Sequence, residues 1–166
     1  MAAEGSSLSI EVRQGALEHA ERSEGIDLGL RVFIGQRQAT VSASDTRAET
    51  IEAMAERAVA MAKLAPEDKY CGLANQDRLA TTTPELEIYD ETNLDAHSLL
   101  ARAQGLESAA ISVKGVNQAE GANAYCVKGA TWLMTSDGFS NGWRSSSHGL
   151  SVAAFASSGD DMERDY

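Results

Sequence analysis

A serine flanked by glycines is the first candidate for a catalytic group in this 166-residue sequence. Gly138-Phe139-Ser140-Asn141-Gly142 has the GxSxG spacing of a nucleophile elbow, in which a strained strand-to-helix turn exposes the serine hydroxyl. That geometry needs a helix directly after the serine, and a histidine further along the chain after an acidic residue. Alternating apolar residues follow Gly142 instead and predict a strand, and few residues remain downstream. The pattern therefore favours a glycine-rich β-turn over a serine nucleophile.

The three histidines, His19, His97 and His148, are far apart in the sequence. A zinc site needs three or four converging ligands, and no HExxH pattern places two histidines on one helix face. Phosphate-binding glycine patterns, the P-loop and GxGxxG, are also missing from the sequence. We therefore predict no catalytic, cofactor-binding or metal-binding residues in this chain.

The acidic C-terminal tail could be mistaken for a calcium loop. It lacks the spacing of alternating Asp and Asn ligands, the central glycine and the final glutamate that define such a loop. A solvated run of charge is the better interpretation of its four acidic residues, which are Asp160, Asp161, Glu163 and Asp165.

Charge and composition exclude several classes of protein. Lys and Arg total 14 against 25 Asp and Glu, so the formal net charge is −11, and no stretch forms the basic stripe that phosphate binding requires. We expect no nucleic-acid partner. No apolar run approaches the ~20 residues of a membrane span, and the N-terminus has no secretory signal pattern. We therefore expect no membrane partner either. Cys71 and Cys126 lie far apart and are expected to stay reduced, which favours a cytoplasmic protein.

The first part of the chain must supply the scaffold for any site, and its pattern is typical of an antiparallel β-meander. Alternating apolar residues predict four strands, at 8–13, 17–22, 26–34 and 38–42. The turns between them are predicted at Gln14-Gly15, at Ser23-Glu24-Gly25 and at Gly35-Gln36.

Two helices follow in the pattern. Thr46 to Glu49 fits a capping box, an apolar stripe of mostly small residues follows, and Pro66 ends the first helix. Asn93 is predicted to cap the second helix, and Leu86, Ile88 and Tyr89 are predicted to form a short strand before it. Further strands are predicted at 119–127, 130–135 and 144–156. We therefore predict an α+β fold: a meander with two helices packed on it in a domain 1–113, then the start of a β-rich domain at 114–166.

Several stretches, in order, resemble the TldD/PmbA family, also called modulators of DNA gyrase. Arg22–Gly25 and Leu28–Ser42 resemble the family's opening hairpins. Ala55–Asp68 resembles the helix and its exit in the PmbA (TldE) branch, and Thr135–Ser140 and Met162–Tyr166 resemble later signatures of that branch. The likeness covers nearly the whole chain.

The resemblance implies a cytoplasmic metallopeptidase complex that cleaves unfolded peptides, including peptide precursors during maturation and an antitoxin during degradation. TldD-like subunits of the family carry a zinc-binding HExxxH motif, whereas PmbA-like subunits lack it. This chain also lacks it. The resemblance therefore implies a scaffold and substrate-enclosing role for this chain beside a TldD-like partner that holds the zinc, and no activity for this chain alone.

Family members are longer at both ends, so we expect this chain to be an N-terminal fragment of a PmbA-like subunit. The alternative is a non-catalytic module that binds a peptide or protein at an exposed sheet edge. Strand addition of that kind uses mainly backbone groups and leaves little trace in a sequence.

Overall fold

The computed structural model of the chain describes residues 1–159 and 161–166 and shows an α+β fold. The described residues form a six-stranded sheet with the order β3-β2-β1-β4-β5-β6, and two helices. The strands are β1 (Ala2–Arg13), β2 (Ala16–Ile34), β3 (Arg37–Ala43), β4 (Val116–Met134), β5 (Ser140–Ser158) and β6 (Asp161–Asp165). The helices are α1 (Ala48–Leu64) and α2 (Ala96–Ile111), and a short 3₁₀ turn spans Gln76–Arg78. The predicted α+β class is confirmed.

The chain divides into two compact units, and the long strands β1, β2, β4 and β5 contribute residues to both. The first unit comprises 1–5, 25–87 and 129–144, and the second comprises 6–24, 88–128 and 145–166. The division into domains 1–113 and 114–166 stays a prediction.

In the first unit, α1 packs on the hairpin of β2 and β3. The helix buries Met54, Ala58 and Ala62, which lie four residues apart and so share one helix face. In the hairpin, Leu28 pairs with Ala43 and Leu30 with Val41. The apolar residues on the face that meets α1 are Leu28, Leu30, Val32, Val41 and Ala43. The predicted stripe of small residues therefore forms the contact between this helix and the sheet.

In the second unit, α2 covers β1 and β4. Leu99 and Ala103 of the helix are almost fully buried. They belong to a cluster with Ile10, Val12, Ala122 and Ala124, in which the alanines of β4 leave room for the larger side chains. Asp95 caps the helix by accepting a hydrogen bond of 2.8 Å from the Ser98 amide.

Two predicted interruptions of the sheet are wrong. The predicted turn at residues 23–25 lies inside the continuous strand β2, and the predicted break at Lys128-Gly129 lies inside β4. A Cβ at Gly129 would lie 3.4 Å from the carbonyl oxygen of Glu4, an ordinary van der Waals distance, so this glycine makes no turn and a side chain there would cause no collision. The turns at Gln14-Gly15 and at Gly35 do form, and Gln14, Gly15 and Gly35 have positive φ angles of 53°, 74° and 60°.

Smaller differences occur at the ends of elements. Helix α1 is capped at Arg47 and not at Thr46, and Asp95 rather than Asn93 caps α2. The segment around Leu86–Tyr89 is not a strand. Residues 161–165 of the acidic tail form the edge strand β6, whose pairing with β5 needs only backbone groups, so exposed acidic side chains do not prevent it. No helix within the described part of the chain is long and apolar enough to span a membrane.

Candidate functional site

The GxSxG segment forms the tight connection between β4 and β5. Thr135 donates its amide to the Phe139 carbonyl at 2.9 Å, and Gly138 donates to the Thr135 carbonyl at 3.1 Å. Gly138 has a φ of 97°, a conformation that glycine adopts readily. Ser140 is the first residue of β5, so a strand follows the serine and the nucleophile elbow is not formed. The structure agrees with the predicted glycine-rich turn.

Ser140 and Gly142 of this segment both contact Trp132 on β4. The indole Nε1–H of Trp132 donates to the Ser140 hydroxyl oxygen at 3.0 Å. The Trp132 ring also lies over Gly142, where any Cβ would collide with the ring and with the Thr131 carbonyl. One side of the indole is therefore occupied by the protein, while half of the side chain (50%) remains exposed.

Trp132 forms one wall of an open groove in the first unit, called here the Trp groove. Its volume is about 520 Å³, within the range of about 300–1,000 Å³ that is usual for ligand pockets. The lining residues are Ala2, Ala3, Glu4, Ile26, Ala130, Thr131, Trp132, Gly142, Trp143 and Arg144. A smaller depression of 220 Å³ shares Ala2 and Trp132 with it, and its other lining residues are Met1, Leu28, Gly29, Leu30, Ile51, Met54 and Met134.

The Trp groove is suited to binding an apolar group. Trp132 and Trp143 are the only tryptophans of the sequence, and both line the groove about half exposed. Aromatic side chains of this kind supply a large apolar contact area at low conformational cost. The charged lining residues are Glu4 and Arg144, and Arg144 already has an interaction of its own within the chain.

The histidines do not come together in a metal site. His19 is exposed, with its Nε2 atom 3.9 Å from the Glu21 carboxylate. Within residues 1–159 and 161–166, no three His, Cys, Asp or Glu side chains are close enough to hold a metal ion. Asp160, one of the four tail acids, lies outside the described residues. Cys71 and Cys126 are both free thiols and half-buried.

The perturbed carboxyl groups belong to local caps and turns. Hydrogen bonds from the side chain and amide of Arg47 and from the Thr50 hydroxyl lower the pKa of Asp45 from 3.8 to about 2. The pKa of Asp95 is lowered mainly by its hydrogen bonds to Ser98 at the start of α2. Since exposed hydrogen bonds at helix starts explain these shifts, they do not point to a catalytic centre.

A buried carboxylate in the second unit was missed by sequence reasoning. Glu107 of α2 is only 6% exposed. Its two carboxylate oxygens accept hydrogen bonds from the Gln14 and Gly15 amides, both at 2.7 Å. Glu107 follows Leu99 and Ala103 at four-residue intervals and therefore lies on the buried face of α2. A charged residue within this apolar stripe could have indicated a buried carboxylate from the sequence alone. It holds the β1–β2 turn against α2.

Sequence reasoning also failed to predict the Trp groove. Trp132 and Gly142 lie on different strands, and only the pairing of β4 with β5 brings them together. A tryptophan on one predicted strand and a glycine on the next could have indicated this contact, because an aromatic ring often covers a cross-strand glycine.

Two family models match consecutive parts of the chain. The model described as PmbA/TldA metallopeptidase domain 1 matches residues 2–62. The model described as PmbA/TldA metallopeptidase central domain matches residues 89–166. Together they cover most of the chain, in the order in which a first and a central domain would occur.

Curated relatives and solved structures agree with these matches. The chain is 30% identical over 162 residues to the metalloprotease PmbA homolog of Haemophilus influenzae, and 27% identical over 160 residues to metalloprotease PmbA of Escherichia coli O157:H7. These matches cover 97% and 96% of this chain but only 36% of each relative, so the chain spans about a third of their length.

Solved structures share the fold at low sequence identity. One is a proposed modulator of DNA gyrase from Bacteroides thetaiotaomicron, with a TM-score of 0.86 and 17% sequence identity. The superposition covers 98% of this chain and 37% of the Bacteroides chain. Another is TldE from Thermococcus kodakarensis, with a TM-score of 0.74 and 14% sequence identity. This superposition covers 97% of this chain and 36% of the TldE chain.

Proposed function

Because the chain belongs to the PmbA/TldD metallopeptidase family, we propose that it works as the N-terminal part of a PmbA-like subunit. In this proposal the subunit assembles with a TldD-like subunit, and the complex cleaves unfolded peptides, as in precursor maturation or antitoxin degradation. The chain contributes scaffold and substrate enclosure rather than the reacting groups. Its proposed compartment is the cytoplasm, which agrees with two free, half-buried thiols.

The observation that carries the proposal is the ordered match of two family domains along one chain. The Trp groove adds physical support, since an open apolar groove can hold a side chain of an unfolded peptide. One similar protein is named metalloprotease PmbA and another is named TldE. These names support the two parts of the proposal, a peptidase function and a PmbA-like (TldE) subunit.

Zinc, which the family implies, does not fit the residues of this chain. The donor set required for zinc is three or four converging His, Cys, Asp or Glu side chains. The part of the chain that the structure describes brings no such set together, and its histidines are isolated. In this proposal the zinc belongs to the TldD-like partner.

Reconstitution of the full-length subunit that contains this chain with a TldD-like subunit from the same organism tests the proposal. We expect the two chains to co-elute in size-exclusion chromatography with light scattering, and the mixture to cleave an unfolded reporter peptide faster than either chain alone. EDTA should abolish that cleavage. A chain that neither associates with the TldD-like subunit nor changes its cleavage rate would overturn the proposal, as would stoichiometric zinc bound by this chain alone.

The alternative function is a peptide- or protein-binding module that acts without a peptidase. The specific observation in its favour is the half-exposed pair Trp132 and Trp143 in an open groove, because that surface can bind without any catalytic partner. The reconstitution separates the two functions. Peptide binding that is unaffected by the TldD-like subunit, together with no association, favours the binding module.

A further inference from the structure

We propose that the Gly138–Gly142 segment holds Trp132 as a fixed wall of the Trp groove, and that this groove binds unfolded peptides through an apolar side chain next to a lysine or arginine. The proposal rests on the peptide-handling role proposed above and adds a site and a substrate preference to it. It also assigns a structural role to the GxSxG pattern, in which the nucleophile elbow is not formed.

Gly138, Ser140 and Gly142, the three fixed positions of the GxSxG pattern, each contribute separately to holding Trp132. Gly138 turns the chain with its φ of 97°, so that β5 returns beside β4. Ser140 accepts the indole N–H, and Gly142 leaves the space that the ring occupies. A half-exposed tryptophan held by these two contacts loses little side-chain freedom when a ligand binds, so the wall is preorganised.

The groove selects an apolar side chain. Trp132 and Trp143 supply its aromatic surface, and alanines and Ile26 supply most of the rest. Trp143 is 54% exposed and Ile26 is 44% exposed, so a bound apolar group would remove surface from water on several sides. Burial of that surface is the favourable term that a Phe or Leu side chain of a peptide would gain.

Charge selects a basic residue beside the apolar one. The Glu4 carboxylate lines the groove, and Arg144, the lining cation, already has an interaction within the chain. The net charge of −11 repels acidic peptides and attracts basic ones. Tryptophan is also the aromatic side chain that binds cations best through its ring face. These three features favour lysine or arginine over glutamate next to the apolar side chain.

Tryptophan fluorescence of the 166-residue chain tests the proposal, because both of its tryptophans line the groove. The probes are three short unstructured peptides of equal length: one with two Phe-Lys pairs, one with two Phe-Glu pairs and one with two Ala-Lys pairs. We expect a saturable change in emission with the Phe-Lys peptide. Binding of the Phe-Glu peptide should be weaker by at least about two- to fivefold, the ratio that an exposed cation–π contact supplies.

Variants of the residues that hold Trp132 or line the groove show whether the peptide binds in the groove or elsewhere on the chain. Ser140→Ala removes only the acceptor of the indole N–H and should weaken binding by about two- to tenfold, because the freed Trp132 ring must then be immobilised when the peptide binds. Glu4→Gln should reduce the preference for Phe-Lys over Phe-Glu. Gly142→Ala displaces the Trp132 ring and should abolish saturation. Its matched control is Gly149→Ala, which places a Cβ 2.6 Å from the Tyr125 hydroxyl in the second unit and should leave binding unchanged.

Circular dichroism of each variant shows whether it folds, and Ser140→Ala and Glu4→Gln keep the test valid if Gly142→Ala does not. Equal binding of the Phe-Lys and Phe-Glu peptides, or no saturable change with any peptide, would overturn this inference. Cleavage of unfolded peptides by the reconstituted complex, without groove binding, would leave the proposed function standing and remove only the inference. Peptide binding in the groove, without association with the TldD-like subunit and without cleavage, would support the groove as a binding site and overturn the proposed peptidase role.

Discussion

Replacement of Glu107 by glutamine should destabilise the chain by breaking the contact between α2 and the β1–β2 turn. The carboxylate is 6% exposed and accepts two amide hydrogen bonds of 2.7 Å from Gln14 and Gly15. In Glu107→Gln, one oxygen becomes an NH₂ group, which cannot accept a hydrogen bond. One backbone amide of the turn then faces another donor, and the remaining bond loses its charge.

The size of the effect follows from these two bonds. A hydrogen bond to a charged group contributes about 1.5–3 kcal/mol and a neutral one about 1 kcal/mol. Losing one charged bond and weakening the other therefore costs about 2–5 kcal/mol in the free energy of unfolding. Since Gln14 and Gly15 are exposed, water can reach the unpaired amide, so the lower half of that range is expected.

Urea unfolding monitored by circular dichroism measures the change, provided that the slope with urea is the same in both proteins. The matched control is Gln104→Ala. Gln104 donates to the Gly15 carbonyl at 2.8 Å from an exposed position, and its loss should cost only about 0.5–1 kcal/mol. A change below about 0.5 kcal/mol for Glu107→Gln, or one no larger than the control, would refute the reasoning that this carboxylate anchors the turn.

Three further predictions concern an exposed carboxyl group, the backbone of a turn residue and the net charge of the chain. Since the pKa of Asp45 is lowered to about 2 in the folded chain, its stabilising contribution is complete above its ordinary value of 3.8 and is lost as the pH falls through about 2. The stability difference between the wild type and Asp45→Asn should therefore shrink as urea unfolding is repeated at falling pH, and a constant difference would contradict the assignment. Gln14→Gly should raise the free energy of unfolding by up to about 1 kcal/mol in thermal unfolding, because Gln14 has a φ of 53°, a left-handed conformation that glycine adopts more easily than residues with a Cβ. A loss of stability would show that contacts of the Gln14 side chain outweigh this backbone strain. Labelled DNA duplex should show no mobility shift with micromolar protein near physiological salt, because the net charge of −11 offers no phosphate-binding surface; a salt-dependent shift would contradict this.

The family resemblance and the α+β class could be predicted from the sequence, because both depend on local patterns. The stripe of α1 is an example: Met54, Ala58 and Ala62 are spaced for one helix face, and that face is buried. The Gln14-Gly15 turn is another, since its positive φ angles suit a tight hairpin. Each of these features follows from residues close together in the chain, where propensity and periodicity act directly.

Only the tertiary structure decided what the remaining glycines and polar residues do. Gly25 and Gly129 suggested interruptions, but both lie inside strands, because pairing with neighbouring strands extends the backbone through them. The partners of Glu107 lie more than ninety positions away in sequence. Ser140 and Gly142 match a catalytic pattern, yet their contact is Trp132 on the adjacent strand. A glycine, serine or glutamate takes its role from the atoms that folding places beside it, and local pattern does not contain that information.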